Sequence, residues 1–376
     1  MKTRIALVNG IWQLCMVTAG MWQERSQHPG SEYQDFLVVY TRKTGNFELA
    51  DFVLKQCQNF WNWKSAIAIE WSPGSWNAEE RQRSQSSISP ILNALGLAYS
   101  AQVDELWLCK LQFLDERLFA DLFSSAQLVL YEDGLHTYAP AQYLLNLPKI
   151  QLDAPKKSCL TSLFWMQQLV SGELNWMTGV KRSHLSRVKT FYSVLGQQLE
   201  VSEPFRQVPT EYFQPELLQQ VFSHLYHTLN CNFYQDKPDR KVALFLGSNL
   251  SHLSSFPKEA EVNVFAEAMQ QARDQGYMIL WKEHPRSRHP LLPDITDQIS
   301  SDHIIALTAE QKFPIELLLA NGNIALCCST LSSSLFYLRS IYGTQTATCV
   351  KPLLPYLSRD FLALSELTLA KIGETL

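Results

Sequence analysis

The fold is decided by one stretch of the sequence, YMILWKEHP at residues 277–285. Its apolar part has the length and the bounds of a strand buried on both faces, as in a parallel sheet. The strand stops at Lys282-Glu283-His284-Pro285, and the proline holds His284 in an extended conformation. Open α/β sheets bind their ligands at the carboxyl ends of strands. We therefore expect a parallel sheet that carries His284 at its functional edge.

A second stretch of this kind, QLVLYEDG, occupies residues 127–134. The apolar run predicts another buried strand, and Gly134 allows the chain to turn sharply after it. Asp133 then lies at the carboxyl end of the strand, where its carboxylate can accept a proton. Glu132 points to the opposite side and is expected to be structural. Asp133 and His284 are thus candidates for a general base and a general acid, although an ordinary Asp-Gly turn is the alternative for the first stretch.

Alternating strands and helices extend outward from both stretches. In the first half we predict strands at residues 4–9, 36–41, 66–71, 105–110 and 127–131, with helices at 48–61, 77–100 and 116–125. In the second half we predict strands at residues 241–246, 278–282, 304–308, 324–327 and 346–350, with helices at 259–275, 315–320, 331–341 and 359–375. This alternation is typical of βαβ units with parallel strands.

Two doubly wound, Rossmann-like α/β domains follow from this alternation, at residues 1–195 and 196–376. Between residues 148 and 238 the strand signals fade. There we expect helices, at residues 160–171 and 215–229, that elaborate the first domain and connect it to the second.

A third string, Ser332-Ser333-Ser334, follows a predicted strand and opens a predicted helix. Backbone N–H groups and hydroxyls at a helix start can hold a phosphate group. Serine is also a common helix cap, so a structural role stays open, and Ser329-Thr330 is a competing position for a phosphate-binding pair. Gly247 and Ser248 end the first strand of the second domain, where their backbone can approach a nucleotide.

Composition excludes several classes of protein. The formal net charge is −4 and no long run of Lys or Arg occurs, which argues against nucleic acid as the main partner. The eight cysteines are scattered without a C-x-x-C pair, so we expect reduced thiols of a cytoplasmic protein and no structural zinc. Glu283, His284 and His289 lack the helical spacing of a metal site, and we expect no metal ion.

The apolar residues 5–22 are interrupted by Asn9, Gly10 and Gln13. This interruption favours a strand, a turn and a helix from residue 11 over a membrane anchor. We therefore expect no transmembrane segment, and peripheral association with a membrane stays possible.

The order of the three strings resembles that in the bacterial sialyltransferases and polysialyltransferase-like glycosyltransferases. These have an (Asp/Glu)-Asp-Gly motif, then a Lys-x-His-Pro motif, then paired Ser or Thr. The resemblance implies the GT-B arrangement, in which two Rossmann-like domains face a central cleft. It also implies inverting transfer of sialic acid from CMP-sialic acid to a glycan hydroxyl, with Asp133 as the base and His284 as the acid.

The same resemblance implies which residues bind the donor nucleotide. The paired Ser match Ser333 and Ser334, and Glu316, within FPIELLL at residues 313–319, matches the Glu that holds the ribose. The expected donor site comprises Lys282, Pro285, Glu316, Ser333, Ser334, Gly247 and Ser248. A nucleoside monophosphate leaves with less charge than a diphosphate, so protein groups replace a metal ion and no cofactor is expected. The Glu-Asp pair and the Glu283 inside the second motif depart from the pattern.

Other functions stay open at this point. CMP-Kdo or a nucleotide-diphosphate sugar could be the donor on the same fold. A sugar- or nucleotide-binding protein without catalysis is an alternative of another class. The expected partners are a nucleotide-sugar donor and a glycan acceptor, and the sequence makes no prediction of the oligomeric state.

Overall fold

A computed structural model describes most of the chain: residues 1–41, 47–70, 88–98, 102–109, 111, 114–138, 180–201, 205–228, 241–248, 250, 256–284, 287, 290–300, 302, 304–307, 313–321 and 324–373. Several predictions fall outside these residues. They concern Pro285, His289, the helix at residues 160–171 and most of the helix at 77–100.

The first of two compact units, Met1–Phe213, is built on a seven-stranded sheet. Its strands are β1 Lys2–Val8, β2 Tyr33–Thr41, β3 Ser65–Glu70, β4 Glu105–Leu108, β5 Gln127–Tyr131, β6 Val188–Ser193 and β7 Thr210–Tyr212. They lie in the order β3-β2-β1-β4-β5-β6-β7, and every pair is parallel. The order reverses between β1 and β4.

Helices connect these strands and cover the sheet. They are α1 Ile11–Gln27, α2 Phe47–Phe60, α3 Ile88–Ala94, α4 Leu114–Leu122 and α5 Arg182–Leu185, with short 3₁₀ turns at Gly134–Thr137 and Phe205–Gln207. Apolar side chains of β1, β2, β4 and β5, such as Ile5, Val38 and Leu106, form one buried cluster with α4. Strands buried in this way need apolar residues on both faces, which is why their sequences are nearly continuous apolar runs.

A buried ionic network joins the amino-terminal parts of the first sheet to α1. The Arg4 guanidinium, fully buried, donates to Asp35 at 2.6 Å and to Glu24 at 2.8 Å. Lys189 on β6 donates to both Glu24 and Glu105. Buried charges are tolerated only when they are paired in this way, so these residues fix β1, α1, β2, β4 and β6 to one another.

The second unit, Gln214–Leu376, contains a five-stranded parallel sheet. Its strands are β8 Val242–Leu246, β9 Met278–Lys282, β10 Ile304–Ala306, β11 Leu326–Ser329 and β12 Gln345–Thr348, in the order β10-β9-β8-β11-β12. Its helices are α6 Pro215–Thr228, α7 Lys258–Asp274, α8 Leu292–Thr296, α9 Ile315–Leu318, α10 Ser334–Tyr342 and α11 Arg359–Ile372, with 3₁₀ turns at Leu319–Asn321 and Lys351–Tyr356.

Three polar residues, Lys282, Ser329 and Thr348, end strands at the carboxyl edge of this sheet. Leu246, the last residue of β8, pairs with Lys282 on one side and with Ser329 on the other. Ser329 in turn pairs with Thr348. The strand order reverses between β8 and β11, and in open α/β sheets such a switch point is where ligands bind.

The predicted α/β class with two parallel sheets is confirmed. The expectation of helices after residue 148 is incomplete, because β6 and β7 extend the first sheet. The sequence divides the domains after residue 195, whereas the two units meet between Phe213 and Gln214, since β7 pairs with β6. The strand predicted at residues 324–327 lies two residues later, so Ser329 belongs to β11.

The cysteines of the described residues carry free thiols. Cys15, Cys57, Cys109, Cys327 and Cys328 are buried, and Cys349 is partly buried. Within the same part of the chain, no helix is both long and apolar enough to cross a membrane.

Candidate active site

The first candidate residue, Asp133, lies in a tight turn after β5. Tyr131, the last residue of the strand, donates its hydroxyl to the Leu7 carbonyl of β1 at 2.8 Å. Gly134 has a φ of 72°, a left-handed conformation that favours glycine. The Asp133 side chain is half-buried, and its N–H donates to the Thr137 hydroxyl at 3.3 Å. The turn therefore leaves a carboxylate at the carboxyl edge of the first sheet.

Glu132, in contrast, is fully buried and faces the loop after β6. Its Oε2 accepts the backbone N–H groups of Val194 at 2.6 Å and Leu195 at 3.2 Å. The same oxygen accepts the Ser193 hydroxyl at 3.1 Å and the Tyr138 hydroxyl. The strand alternation predicts a structural Glu132, and these contacts are structural ones.

Tyr138 closes this network from the far side of the turn. Burial, together with the charge of Glu132, raises the pKa of Tyr138 well above its ordinary value of 10.0. The hydroxyl therefore stays protonated and can donate to the carboxylate. It also lies 2.6 Å from the Ser193 hydroxyl, which accepts the Gly196 N–H at 2.8 Å. Sequence patterns give no signal for this network, because Tyr138 and Ser193 are ordinary residues of loops and strand ends.

The second candidate residue, His284, lies two residues after the end of β9 and is half-buried. Lys282 before it is buried, and its carbonyl accepts the Gly247 N–H at 2.9 Å. Glu283 turns toward α8, where its Oε1 accepts the N–H groups of Leu291 at 2.6 Å and Leu292 at 3.1 Å. Glu283 is therefore engaged with the start of α8.

Gly247 occupies a position that leaves little room for a side chain. A Cβ at this position would lie 3.1 Å from Glu283 Oε2, 3.1 Å from a ring carbon of Trp281 and 3.3 Å from the His284 nitrogen. Ser248, the next residue, is buried and donates its hydroxyl to Glu261 on α7. Its oxygen also accepts the Leu250 N–H at 3.3 Å. The backbone at Gly247 thus lies against the His-Pro motif, while the Ser248 hydroxyl is engaged inside the unit.

The hydroxyls at the end of β11 and the start of α10 differ in their partners. Ser329 is buried and donates to the Leu246 carbonyl at 2.8 Å. Thr330 is fully buried, and among the described residues its Oγ1 has no hydrogen-bond partner. At the helix start, Ser332 rather than Ser333 accepts the Ser334 N–H, at 3.2 Å. Ser333 occupies the N-cap position without a capping side-chain bond, so the simple cap expected as the alternative is not what this serine forms.

Glu316, on α9, is buried. Burial raises the pKa of its carboxyl above 4.5, while a hydrogen bond from Ser334 and the charge of Lys282 lower it in part. The structure thus brings Glu316, Ser334 and Lys282 together. The hydroxyl of Ser334 has one donor hydrogen, which is used when it bonds the carboxylate.

No metal site stands out in the part of the chain that is described: it contains no group of three or more His, Cys, Asp or Glu placed to hold an ion. The carboxyl edge of the second sheet instead presents a lysine, an imidazole and hydroxyls. These groups can neutralise and hydrogen-bond a phosphate.

Solved structures with this fold are glycosyltransferases and related enzymes. The GT-B domain of a sialyltransferase from Photobacterium damselae matches with a TM-score of 0.52 at 12% identity, over 100% of this chain and 98% of that chain. UDP-GlcNAc 2-epimerase from Neisseria meningitidis matches with a TM-score of 0.50 at 10% identity, over 100% and 95% of the two chains. Identities this low establish the fold alone.

The two parallel sheets and these likenesses define a protein of the GT-B class. No curated protein sequence matches the chain significantly. The model of the alpha-2,8-polysialyltransferase family, however, matches residues 4–351, and the chain belongs to this family. It is therefore a glycosyltransferase of the sialyltransferase type, and every candidate residue lies within the matched segment.

Proposed function

We propose that this chain transfers sialic acid from CMP-sialic acid to a hydroxyl of a sialylated glycan, with inversion at the anomeric carbon. One observation carries the proposal. The family match spans residues 4–351, and within it Asp133 and His284 each follow the carboxyl end of a parallel strand. The family's description also supports an acceptor that ends in sialic acid and an α-2,8 linkage.

Asp133 is the general base in this mechanism. Its carboxylate takes the proton of the acceptor hydroxyl as the hydroxyl oxygen attacks the anomeric carbon. The new C–O bond forms on the face opposite the nucleotide, and the bond from the anomeric carbon to the phosphate oxygen breaks. Because Asp133 belongs to the first unit, we assign the acceptor to that unit.

His284 assists the departure of CMP. Its imidazole donates a proton or a hydrogen bond to the phosphate oxygen on which negative charge develops. Lys282, at the end of the same strand, supplies positive charge, and the Gly247 backbone approaches the nucleotide beside it. We include Pro285 only as the residue that holds His284 extended.

Ser333 is the serine best suited to hold the phosphate. It is half-buried and makes no capping bond, whereas Ser334 bonds Glu316 and Ser329 bonds Leu246. Glu316 can accept the ribose hydroxyls on the lone-pair sites that Ser334 leaves open, so we propose that these two residues act as one unit at the ribose. Ser248 contributes through its backbone, since its hydroxyl is engaged by Glu261.

We propose that no divalent metal ion takes part and that the enzyme works in the cytoplasm. The lysine, imidazole and hydroxyl groups supply the charge and hydrogen bonds that a metal ion would give to the phosphate. Free thiols, as in the cysteines of the described residues, are typical of a reducing compartment.

The test is release of CMP from CMP-sialic acid, measured with and without a sialylated oligosaccharide and in excess EDTA. We expect acceptor-dependent release that EDTA does not abolish. Asp133→Asn should retain CMP affinity in a calorimetric titration and lose transfer by about a hundredfold to ten-thousandfold. The control is Asp51→Asn, which changes an exposed carboxylate on α2.

Three outcomes would overturn parts of this proposal. Turnover of CMP-Kdo or of a nucleotide-diphosphate sugar in place of CMP-sialic acid would refute the donor. Loss of activity in EDTA that Mg²⁺ or Mn²⁺ restores would refute the metal-free mechanism. Binding of the donor without any turnover would favour a non-catalytic binding protein.

A further inference from the structure

We propose that Glu283 positions His284 for catalysis by linking the end of β9 to the start of α8. The inference rests on the proposed role of His284 as the acid. It concerns Glu283, a residue of the His-Pro motif for which the sequence predicts no role.

Glu283 Oε1 accepts the N–H groups of Leu291 at 2.6 Å and Leu292 at 3.1 Å. This carboxylate therefore links the end of β9 to the start of α8. The Ser287 N–H donates to the His284 carbonyl at 2.9 Å. The backbone of His284 is therefore held by a bond of its own and by the side chain of the residue before it.

The start of α8 needs such an acceptor. Leu291 is its N-cap residue and forms no side-chain cap. The first N–H groups of a helix have no partner within the helix, and a side-chain oxygen commonly supplies one. Glu283 does so from outside the helix, so its oxygen has a function that an apolar side chain cannot replace.

Gly247 confines the carboxylate from the other side. A Cβ there would lie 3.1 Å from Glu283 Oε2 and 3.3 Å from the His284 nitrogen. These distances are tighter than almost all real contacts of a Cβ, so alanine at residue 247 would push on both residues. The end of β8 and the start of α8 thus hold Glu283 between them.

This arrangement predicts an effect on the chemical step. A displacement of about 1 Å at a reacting group lowers the rate about a hundredfold. We expect Glu283→Ala to lower kcat by about that factor, with little change in the KM for the donor. Glu283→Gln retains a carbonyl oxygen for both N–H groups and should restore most of the rate. Glu267→Ala, an exposed glutamate on α7, is the control.

The decisive measurement is the same substitution in a His284→Ala background. If Glu283 acts through His284, Glu283→Ala has no further effect on kcat there. An equal fold-change in both backgrounds would show a structural role alone and overturn the inference. If His284→Ala by itself transfers at the normal rate, the proposed function fails instead, so the two failures are distinguishable.

Gly247→Ala tests the same contact without changing Glu283, and it serves if Glu283→Ala does not fold. We expect a lower kcat at saturating donor, a condition that separates the chemical step from any change in CMP affinity caused by the Gly247 backbone at the nucleotide. Gly30→Ala is the control, because a Cβ at Gly30 meets nothing within 4 Å. A normal kcat in Gly247→Ala, or a rate in Glu283→Gln as low as that of Glu283→Ala where the latter folds, would overturn the inference.

Discussion

At the ends of β5 and β9, the residue before the proposed reacting residue is a glutamate that binds backbone amides. In each, a glutamate stands directly before the proposed reacting residue, Glu132 before Asp133 and Glu283 before His284. Each glutamate accepts two consecutive backbone N–H groups from a later segment of the chain. A carboxylate oxygen with several lone-pair sites suits this purpose, since it can fix two amides at once.

The two ends differ in what else surrounds the carboxylate. Glu132 is fully buried and also accepts the hydroxyls of Ser193 and Tyr138. Glu283 is half-buried, and its hydrogen bonds within the described residues come from the two N–H groups at the start of α8. The glycines differ as well: Gly134 is needed for its positive φ, and Gly247 for the space that a side chain would take.

We interpret the surroundings of Glu132 as a structural support and the carboxyl edge of the second sheet as the place where a ligand binds. Hydroxyls and amides of the protein bind Oε2 of the carboxylate at the first end. At the carboxyl edge of the second sheet, Thr330 Oγ1 is buried without a partner in the described part of the chain, and burial raises the pKa of Glu316. Buried polar groups normally find partners, so a hydroxyl left open at the same sheet edge as Lys282 and His284 suits a charged ligand.

The comparison is tested most strongly by removing each glutamate. Glu132→Ala leaves two amides and two hydroxyls without their acceptor, and we expect a loss in unfolding free energy of about 3 kcal/mol or more. In Glu283→Ala the two amides that lose their acceptor can be hydrated more readily, and we expect a loss in unfolding free energy of about 1–2 kcal/mol. Urea denaturation of both variants measures the difference. Equal losses would show that the two supports are energetically alike.

The pH dependence of stability that Glu316 causes gives a second test, at the carboxyl edge of the second sheet. Burial raises the pKa of Glu316 above 4.5 in the folded state, so the folded protein holds this proton more tightly than the unfolded chain. The corresponding stability is present below pH 4.5 and is lost as the pH rises through the folded pKa. When unfolding free energies are measured from pH 4 upward, that of wild type should therefore fall relative to that of Glu316→Gln. A difference that is constant with pH would contradict this prediction.

The smallest expected effect is that of Thr330→Val. The change replaces a buried, unpartnered hydroxyl by a methyl group of similar shape, which is close to neutral or stabilising. We expect unfolding free energy within about 0.5 kcal/mol of wild type and unchanged CMP affinity, if Ser333 holds the phosphate. Thr348→Val is the control. The Thr348 hydroxyl donates to the Thr330 carbonyl at 2.8 Å, so its removal should lower the unfolding free energy.

A tenfold loss of CMP affinity in Thr330→Val would contradict the assignment of the phosphate to Ser333. It would assign the phosphate to Ser329-Thr330, and the unpartnered Oγ1 would be a ligand contact rather than a core defect.

Much of the fold could be predicted because its strands are short apolar runs between polar turns. The strands at residues 127–131 and 278–282 were placed to the residue. The strands β6 and β7 were missed, since VKTFYS neither alternates nor forms a continuous apolar run, and β7 has only three residues. In such elements the pairing with a neighbouring strand, rather than the local sequence, determines the structure.

The site was predictable only in part, for a related reason. Strand alternation is a local property, so it predicts that Glu132 and Asp133 face opposite sides. The partners of Glu132 and Glu283 are backbone amides at distant positions, and any residue can supply an amide. The bonds of Ser248 with Glu261 and of Ser334 with Glu316 depend on helix placement in the same way.

The strand order of the first sheet has a consequence for the growing chain. The central strand β1 is made first, and β2 can cover one of its edges soon afterwards. Its other edge waits for β4, which begins at Glu105. At 5–20 residues per second, synthesis leaves that edge open for about 3 to 13 seconds after β2 is complete. An open edge pairs readily with other chains, so the time between β2 and β4 is when a nascent molecule is most exposed to misassembly.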